Sequence, residues 1–223
     1  MTHSPAPTLP FSVVAKPTGA ACNLDCQYCF FLSKELLYDQ KRQSMSEETL
    51  ETYVKNFLAA SPDGDVTMLW QGGEPTLRGL PFFERLIELC EKYRRPTQEV
   101  RHAIQTNGTL ITEQWARFFK DNDVLVGISI DGPKELHDAY RLNRGGHGTH
   151  SMVIRGWEQL RNAEVDTNIL CTVHAANEDH GLEVYRYFRD ELGAQYMQFI
   201  PIVERVPREH LRQAELGWRS GSS

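Results

Sequence analysis

The stretch CNLDCQYCFFLSKE (residues 22–35) carries three cysteines within eight residues, at Cys22, Cys26 and Cys29. Thiolates are the usual protein ligands of iron–sulfur clusters. Three such ligands on one loop can hold three irons of a 4Fe–4S cube and leave the fourth iron open, as catalytic metal sites require. The alternatives are a structural zinc site, which favours a fourth ligand, and buried cysteines without metal. We predict a 4Fe–4S cluster on these three residues.

The cysteine segment lies between the first two of six short, strand-like runs. These are FSVVAK (11–16), VTMLW (66–70), VRHAIQ (100–105), VLVGISI (124–130), TNILCTV (167–173) and YMQFIPI (196–202). Several are continuously apolar, which is typical of strands buried on both faces of a parallel sheet. Amphipathic segments separate them, so the pattern predicts an α/β fold with six βα units, either an open sheet or an incomplete barrel.

Residues that are typical of helix ends support the predicted alternation of strands and helices. Ser46 precedes a segment with acidic residues in its first turn and is predicted to be an N-cap. Pro81 is predicted to stand at the first position of the next helix. Gly193 follows GLEVYRYFRDEL (181–192) and is predicted to end that helix.

Residues with special side chains or turns follow the ends of the predicted strands. They occupy residues 72–75, 106–108, 129–132 and 200–202, as well as the cysteine loop. Because parallel α/β sheets bind ligands at the carboxyl ends of their strands, these segments are expected to share one site.

Composition restricts the class of protein. The net charge of −6 comes from interspersed acids and bases and provides no basic surface for nucleic acid or an anionic membrane. No apolar run approaches the ~20 residues of a membrane-spanning helix, and the N-terminus lacks a secretory signal pattern, so a cytoplasmic location is expected.

Cys90 and Cys171 stand alone and are predicted to be core residues.

The motifs resemble those of the radical S-adenosylmethionine (AdoMet) superfamily, whose signature is the C-x3-C-x-aromatic-C loop. Within it, the chain is most similar to anaerobic sulfatase-maturating enzymes. The segments that carry this resemblance are CNLDCQYCFFLSKE (22–35), LWQGGEPTL (69–77), QTNGTL (105–110), SIDGPKELHDAYR (129–141) and MQFIPIVER (197–205). The resemblance implies a partial (β/α)6 barrel of the radical AdoMet type.

The resemblance also implies a reaction. One 4Fe–4S cluster would cleave AdoMet reductively, and the resulting radical would take hydrogen from the β-carbon of a cysteine or serine in a sulfatase precursor, leading to formylglycine. A flavodoxin or ferredoxin would donate the electron. Two alternatives stay open: another peptide-modifying enzyme of the superfamily, and a truncated, non-catalytic iron–sulfur module.

Six residues are assigned to AdoMet by the same resemblance: Tyr28, Gly73, Glu74, Ser129, Arg141 and Ile202. Gly73 would lie against the methionine moiety, Glu74 would meet its ammonium group, and the Arg141 fork would suit a carboxylate. Tyr28 would present its backbone to the adenine, and Ile202 an apolar contact.

The resemblance covers residues 11–207, which are expected to form the core domain. Residues 1–10 are expected to be a disordered lead-in, and residues 208–223 an irregular tail at which the chain is truncated. Sulfatase-maturating enzymes carry their catalytic base in a further, cysteine-rich domain, so no catalytic base is assigned to any residue here.

Overall fold

The computed structural model describes residues 11–31 and 44–202. The predicted lead-in (1–10), the boundary at residue 207 and the predicted tail (208–223) lie outside the described residues.

Six parallel strands form one sheet in the order of the chain. They are β1 (Val14–Ala15), β2 (Gly64–Trp70), β3 (Gln98–Thr106), β4 (Leu125–Ser129), β5 (Thr167–Val173) and β6 (Met197–Pro201). Each of the six predicted runs therefore contains a strand, although β1 is only two residues long. The sheet is not closed, since β1 and β6 are its two edges, and the predicted partial (β/α)6 barrel is confirmed.

Helices connect successive strands. They are α1 (Glu47–Ala60), α2 (Leu80–Tyr93), α3 (Glu113–Asp121), α4 (Lys134–Asp138), α5 (His150–Asn162) and α6 (Gly181–Arg186), which continues into a π-helical turn over Tyr187–Glu191. None of the helices in the described part of the chain is long and apolar enough to cross a membrane.

The predicted helix ends agree with the structure, with one shift. The Ser46 hydroxyl accepts a hydrogen bond from Thr49 N at 3.1 Å and caps α1. Gly193 follows α6 and its π turn with a φ of 63°. Pro81 is the second residue of α2 rather than the first, because Gly79, with a φ of 78°, turns the chain into the helix one residue earlier.

Burial differs between the two faces of the sheet. On β2, Val66, Met68 and Trp70 are buried among the helices, while Thr67, which points to the other face, is exposed. Only β4 is buried along most of its length. The prediction that the apolar strands are buried on both faces is therefore wrong for β2, whose inner face is open, and for β6, which is exposed on both faces.

Candidate active site

The cysteine loop follows β1 and lies at the carboxyl ends of the strands. Cys26 is buried, and Cys22 and Cys29 are half-buried. The pKa of the Cys22 thiol is raised to about 12 and that of Cys26 to about 11, mainly by burial, with a smaller contribution from neighbouring thiols of the loop. The three thiols are thus close enough to interact electrostatically. Metal binding must displace their protons, since the thiolate is the ligand form.

The chemistry of these side chains suits the predicted cluster. Thiolates are the usual ligands of iron–sulfur clusters, and a 4Fe–4S cube binds each of them to a different iron. Three thiols on one loop can therefore hold three irons of the cube. Among residues 11–31 and 44–202, no three His, Cys, Asp or Glu side chains converge on one metal position.

Backbone pairing with the segment after α4 fixes the cysteine loop. Asp25 N donates to Leu142 O at 2.8 Å, and Gln27 N donates to Tyr140 O at 3.0 Å. The Arg144 guanidinium also donates to Cys22 O at 2.9 Å. These bonds hold the backbone on which the three thiols are mounted.

Side chains from the end of β3 hold the other side of the loop. The Asn107 amide donates to the Asn23 side-chain oxygen at 2.9 Å and approaches Cys22 Sγ at 3.6 Å. Asn23 in turn donates to the Thr109 hydroxyl at 2.9 Å. The sequence indicated only a turn at residues 106–108, so this clamp was not predicted.

The turn after β2 packs directly on the start of the cysteine loop. Gly73 N donates to Gly19 O and Glu74 N donates to Ala21 O, both at 2.9 Å. A Cβ on Gly73 would lie 2.0 Å from Ala21 O. The close contact that requires glycine here is therefore with the protein backbone, and a cofactor contact must use the opposite side of this turn.

Glu74 is fully buried and bonded to the protein. Its Oε1 accepts from Thr76 N, the Thr76 hydroxyl and the Thr106 hydroxyl, and its Oε2 accepts from Asn107 N at 2.7 Å. Burial raises the pKa of this carboxyl, and the hydrogen bonds offset that only in part. Glu74 joins the ends of β2 and β3, and Oε2 retains acceptor capacity for a further donor.

Ser129 is the last residue of β4, where its hydroxyl accepts a hydrogen bond from the Gln105 amide at 3.0 Å. A Cβ on Gly127 would lie 2.2 Å from the Gln105 Oε1. Gly127 therefore gives Gln105 the room to cross β4. Since the amide donates to Ser129, the Ser129 O–H remains free to donate elsewhere.

Arg141 meets a carboxylate of the protein itself. Its Nε donates to Asp131 Oδ2 at 2.7 Å and its Nη2 to Asp131 Oδ1 at 3.1 Å. Burial alone would lower the pKa of Arg141, but Asp131 raises it above its usual range. The main partner of Arg141 is therefore Asp131, which the sequence indicated only as part of a turn. If Arg141 also recognises a cofactor carboxylate, as predicted, it must use the remaining donors of its guanidinium.

The remaining predicted contacts lie around the same edge of the sheet. Tyr28 is half-buried, and its hydroxyl donates to Asp131. Ile202 directly follows β6, is half-buried and pairs through its N–H with Val173 O at 3.1 Å. A cleft of about 260 Å³ opens on the inner face of the sheet, and the residues that line it include Leu69, Gln71, Gln105, Gly127, Asn168 and Gln198.

Cys90 and Cys171 are buried in the hydrophobic core, as predicted. They lie on α2 and β5, outside the cysteine loop in sequence.

The comparison with protein families agrees with the class of protein that the cysteine loop and the parallel sheet indicate. The family model of the radical SAM superfamily matches residues 17–188, more than half of the chain. The chain therefore belongs to the radical SAM superfamily, whose members use a 4Fe–4S cluster and AdoMet, the two cofactors predicted from the sequence.

Two curated relatives show which enzymes of the superfamily the chain is similar to. The chain is 40% identical over 198 residues to a serine-type anaerobic sulfatase-maturating enzyme of Bacteroides thetaiotaomicron, covering 88% of this chain and 47% of the relative. It is 41% identical over 201 residues to a cysteine-type anaerobic sulfatase-maturating enzyme of Clostridium perfringens, covering 90% and 54%. The chain thus spans about half the length of the curated relatives it matches.

Solved structures of radical SAM enzymes also match the chain. Native anSMEcpe with bound AdoMet and Cp18Cys peptide superimposes with a TM-score of 0.81 at 40% identity, covering 88% of this chain and 52% of that chain. Streptococcus suis SuiB bound to its precursor peptide SuiA matches with a TM-score of 0.63 at 16% identity, covering 86% and 39%, which shows a shared fold. The predicted resemblance to sulfatase-maturating enzymes is confirmed.

Proposed function

We propose that Cys22, Cys26 and Cys29 hold a 4Fe–4S cluster and that the chain binds AdoMet beside it, at the carboxyl ends of the strands. The observation that carries this proposal is a three-thiol loop held by hydrogen bonds next to the buried side chains of Glu74 and Arg141. When bound, the two cofactors supply one-electron cleavage of AdoMet and hydrogen abstraction from the substrate; the chain binds and orients them.

The chain's own polar atoms supply complementary contacts for AdoMet. Glu74 Oε2 would accept from the ammonium group, and the Arg141 Nη1 would donate to the carboxylate. The Ser129 hydroxyl, already supplied with a donor by Gln105, would donate to an acceptor of the cofactor. Gly73 and Tyr28 would contribute backbone, and Ile202 an apolar surface against the adenine.

We further propose a peptide substrate. Because the relatives are sulfatase-maturating enzymes of the serine and cysteine types, the proposed substrate is a segment of a sulfatase precursor whose cysteine or serine becomes formylglycine. The inner-face cleft, with the amides of Gln71 and Gln105 on its wall, offers partners for a peptide backbone.

A flavodoxin or ferredoxin would be the electron donor. The five free cysteines suit the reducing conditions of the cytoplasm.

Exchange of single cysteines tests the proposed ligands. Cys26→Ala removes one of three thiolates, so we expect the anaerobically reconstituted variant to form less than about a hundredth of the 5′-deoxyadenosine that the unchanged chain forms from AdoMet and dithionite. Liquid chromatography with mass spectrometry measures the product directly.

Cys90→Ala is the matched control, because Cys90 lies on α2 and is buried in the core against Met68 of β2. We expect it to retain 5′-deoxyadenosine formation. Equal losses in the two variants would contradict the ligand assignment, and so would full activity of Cys26→Ala.

A further inference from the structure

Asp131 is a buried carboxylate at the centre of the site and has no role in the contacts proposed above. It follows β4 directly, and its side chain has no solvent exposure. Burying an isolated carboxylate is costly, so such a group is retained only with partners that compensate for the lost hydration. The identity of those partners indicates what the residue does.

The two oxygens of Asp131 receive donors from three segments. Arg141 bonds to both oxygens, Thr172 N at the end of β5 donates to Oδ1 at 2.9 Å, and the Tyr28 hydroxyl donates to Oδ2. His174 Nε2 lies 3.5 Å from Oδ2, which is too long for a good hydrogen bond. Asp131 therefore connects the cysteine loop, β4, the segment after α4 and β5.

This set of bonds fixes the direction of the Arg141 fork. Nε and Nη2 point at Asp131, and Nη2 also approaches the Thr172 hydroxyl at 3.5 Å. Within the described part of the chain, no hydrogen bond from Nη1 is present. A planar guanidinium with one edge fixed on Asp131 has its Nη1 donors fixed in direction too.

The same carboxylate fixes the residue between two of the cysteines. Tyr28 stands next to Cys29, its hydroxyl bonds to Asp131, and its ring stacks on His174 with ring centroids 5.6 Å apart. The Arg141 guanidinium lies over the same ring, 5.4 Å from its centroid. A single carboxylate thus orients a side chain of the cysteine loop and the arginine that faces the site.

We propose that Asp131 is a positioning residue for AdoMet, which holds Arg141 and Tyr28 in the orientation that the cofactor requires without touching the cofactor itself. The inference rests on the proposed function, since it assumes that AdoMet binds beside Arg141. Burial raises the pKa of Asp131, but the charge and hydrogen bonds of Arg141 outweigh it and hold the carboxyl ionised.

Asp131→Asn tests the inference while conserving shape. An asparagine presents an NH₂ group to donors that now face an oxygen, so the bidentate contact with Arg141 is lost. We expect the reconstituted variant to keep its iron content and to bind AdoMet at least tenfold more weakly, measured by titrating the visible spectrum of the cluster with AdoMet. Asp63→Asn is the control, because Asp63 also pairs with an arginine, Arg95, but is exposed and precedes β2; its affinity should match that of the unchanged chain.

Arg141→Lys gives a second measurement that does not remove the buried carboxylate. A lysine retains the charge that compensates Asp131 but cannot form the two-bond fork. We expect a similar loss of at least tenfold in AdoMet affinity, and no additional loss when Asp131→Asn is combined with it.

The outcomes separate the two proposals. If the unchanged chain, with its cluster assembled, does not bind AdoMet, the proposed function is wrong and the positioning role with it. If the unchanged chain binds and Asp131→Asn binds within twofold of it, only the positioning role is overturned. Should Asp131→Asn fail to fold, Tyr28→Phe decides alone, because it removes the hydroxyl bond to Asp131 and leaves the backbone of the cysteine loop unchanged: unchanged affinity overturns the positioning role, and a tenfold loss with full iron content supports it.

Discussion

At the scale of single residues, Asp131 determines where the Arg141 guanidinium points, because its two oxygens accept from two of the three nitrogens of the fork. The sequence predicted that Arg141 would bind a carboxylate, and in the structure it does, but the carboxylate belongs to Asp131. A charged residue directly after the apolar strand VLVGISI was the available signal. The role of Asp131 depends on its contacts with Arg141, ten residues away, and with β5. Local sequence patterns do not show that these residues meet.

A second residue, His102, has consequences for stability. It lies on β3, and its buried Nδ1 has no hydrogen-bond partner among the described residues. Burial lowers the pKa of His102 to about 4, against about 6.5 for an unperturbed histidine. Because the unfolded chain then binds a proton that the folded chain does not, the folded state loses stability as the pH falls from about 6.5 towards 4.

His102→Leu should therefore reduce the decline in stability with acid. The expected effect is on the order of 1 kcal/mol per pKa unit of the shift that is removed. Urea unfolding at pH 7 and pH 5 measures it, with the exposed His147→Gln as the control. A variant whose unfolding free energy declines as steeply as that of the unchanged chain would show that His102 is not responsible.

At the scale of elements, the positions of strands and helix ends followed from local patterns. All six strands and the Ser46 cap were predictable, because apolar runs and capping residues act within a few positions of the chain. The open inner face of the sheet was not, since a continuously apolar run looks the same whether one or both of its faces are covered. On β2, the exposed Thr67 between the buried Val66 and Met68 shows the one-sided burial. On β6, Phe199 (44% exposed) and Ile200 (47%) point to opposite faces, so neither face of this strand is fully covered.

The contact between the turn after β2 and the cysteine loop is another property of elements. Gly73→Ala would place a methyl group against Ala21 O and push the two segments apart. We expect a loss of ~1–3 kcal/mol in unfolding free energy, typical of overpacking, and a lower iron content after reconstitution. Urea unfolding and an iron assay measure the two effects.

Gly181→Ala is the control for this exchange. Gly181 begins α6 with helical backbone angles, and an added Cβ there would meet nothing within 4 Å. Its iron content should not change, and its stability should stay the same or rise by ~0.5–1 kcal/mol. Gly73→Ala with full iron content and an unchanged unfolding midpoint would contradict the proposed packing constraint.

At the scale of the whole molecule, the sheet brings four separate segments of the chain together at the carboxyl ends of its strands. The cysteine loop, Glu74, Ser129, Asp131 and Arg141 are up to 119 residues apart in sequence (22 to 141), and they meet because successive parallel strands end side by side. This arrangement could be predicted from the order of strands and motifs. The hydrogen bonds among these side chains could not, because they depend on distances that only the folded chain sets.

The electron paramagnetic resonance spectrum of the reduced, anaerobically reconstituted chain, with and without AdoMet and alongside its metal content, tests most directly whether the three cysteines hold a 4Fe–4S cluster that binds AdoMet. We predict about four iron and four sulfide per chain, as a 4Fe–4S cluster requires, and a spectrum that changes when AdoMet is added. A colourless protein that holds one zinc per chain would show that the cysteines do not bind an iron–sulfur cluster, and a cluster whose spectrum is unaffected by AdoMet would show that AdoMet does not bind beside it.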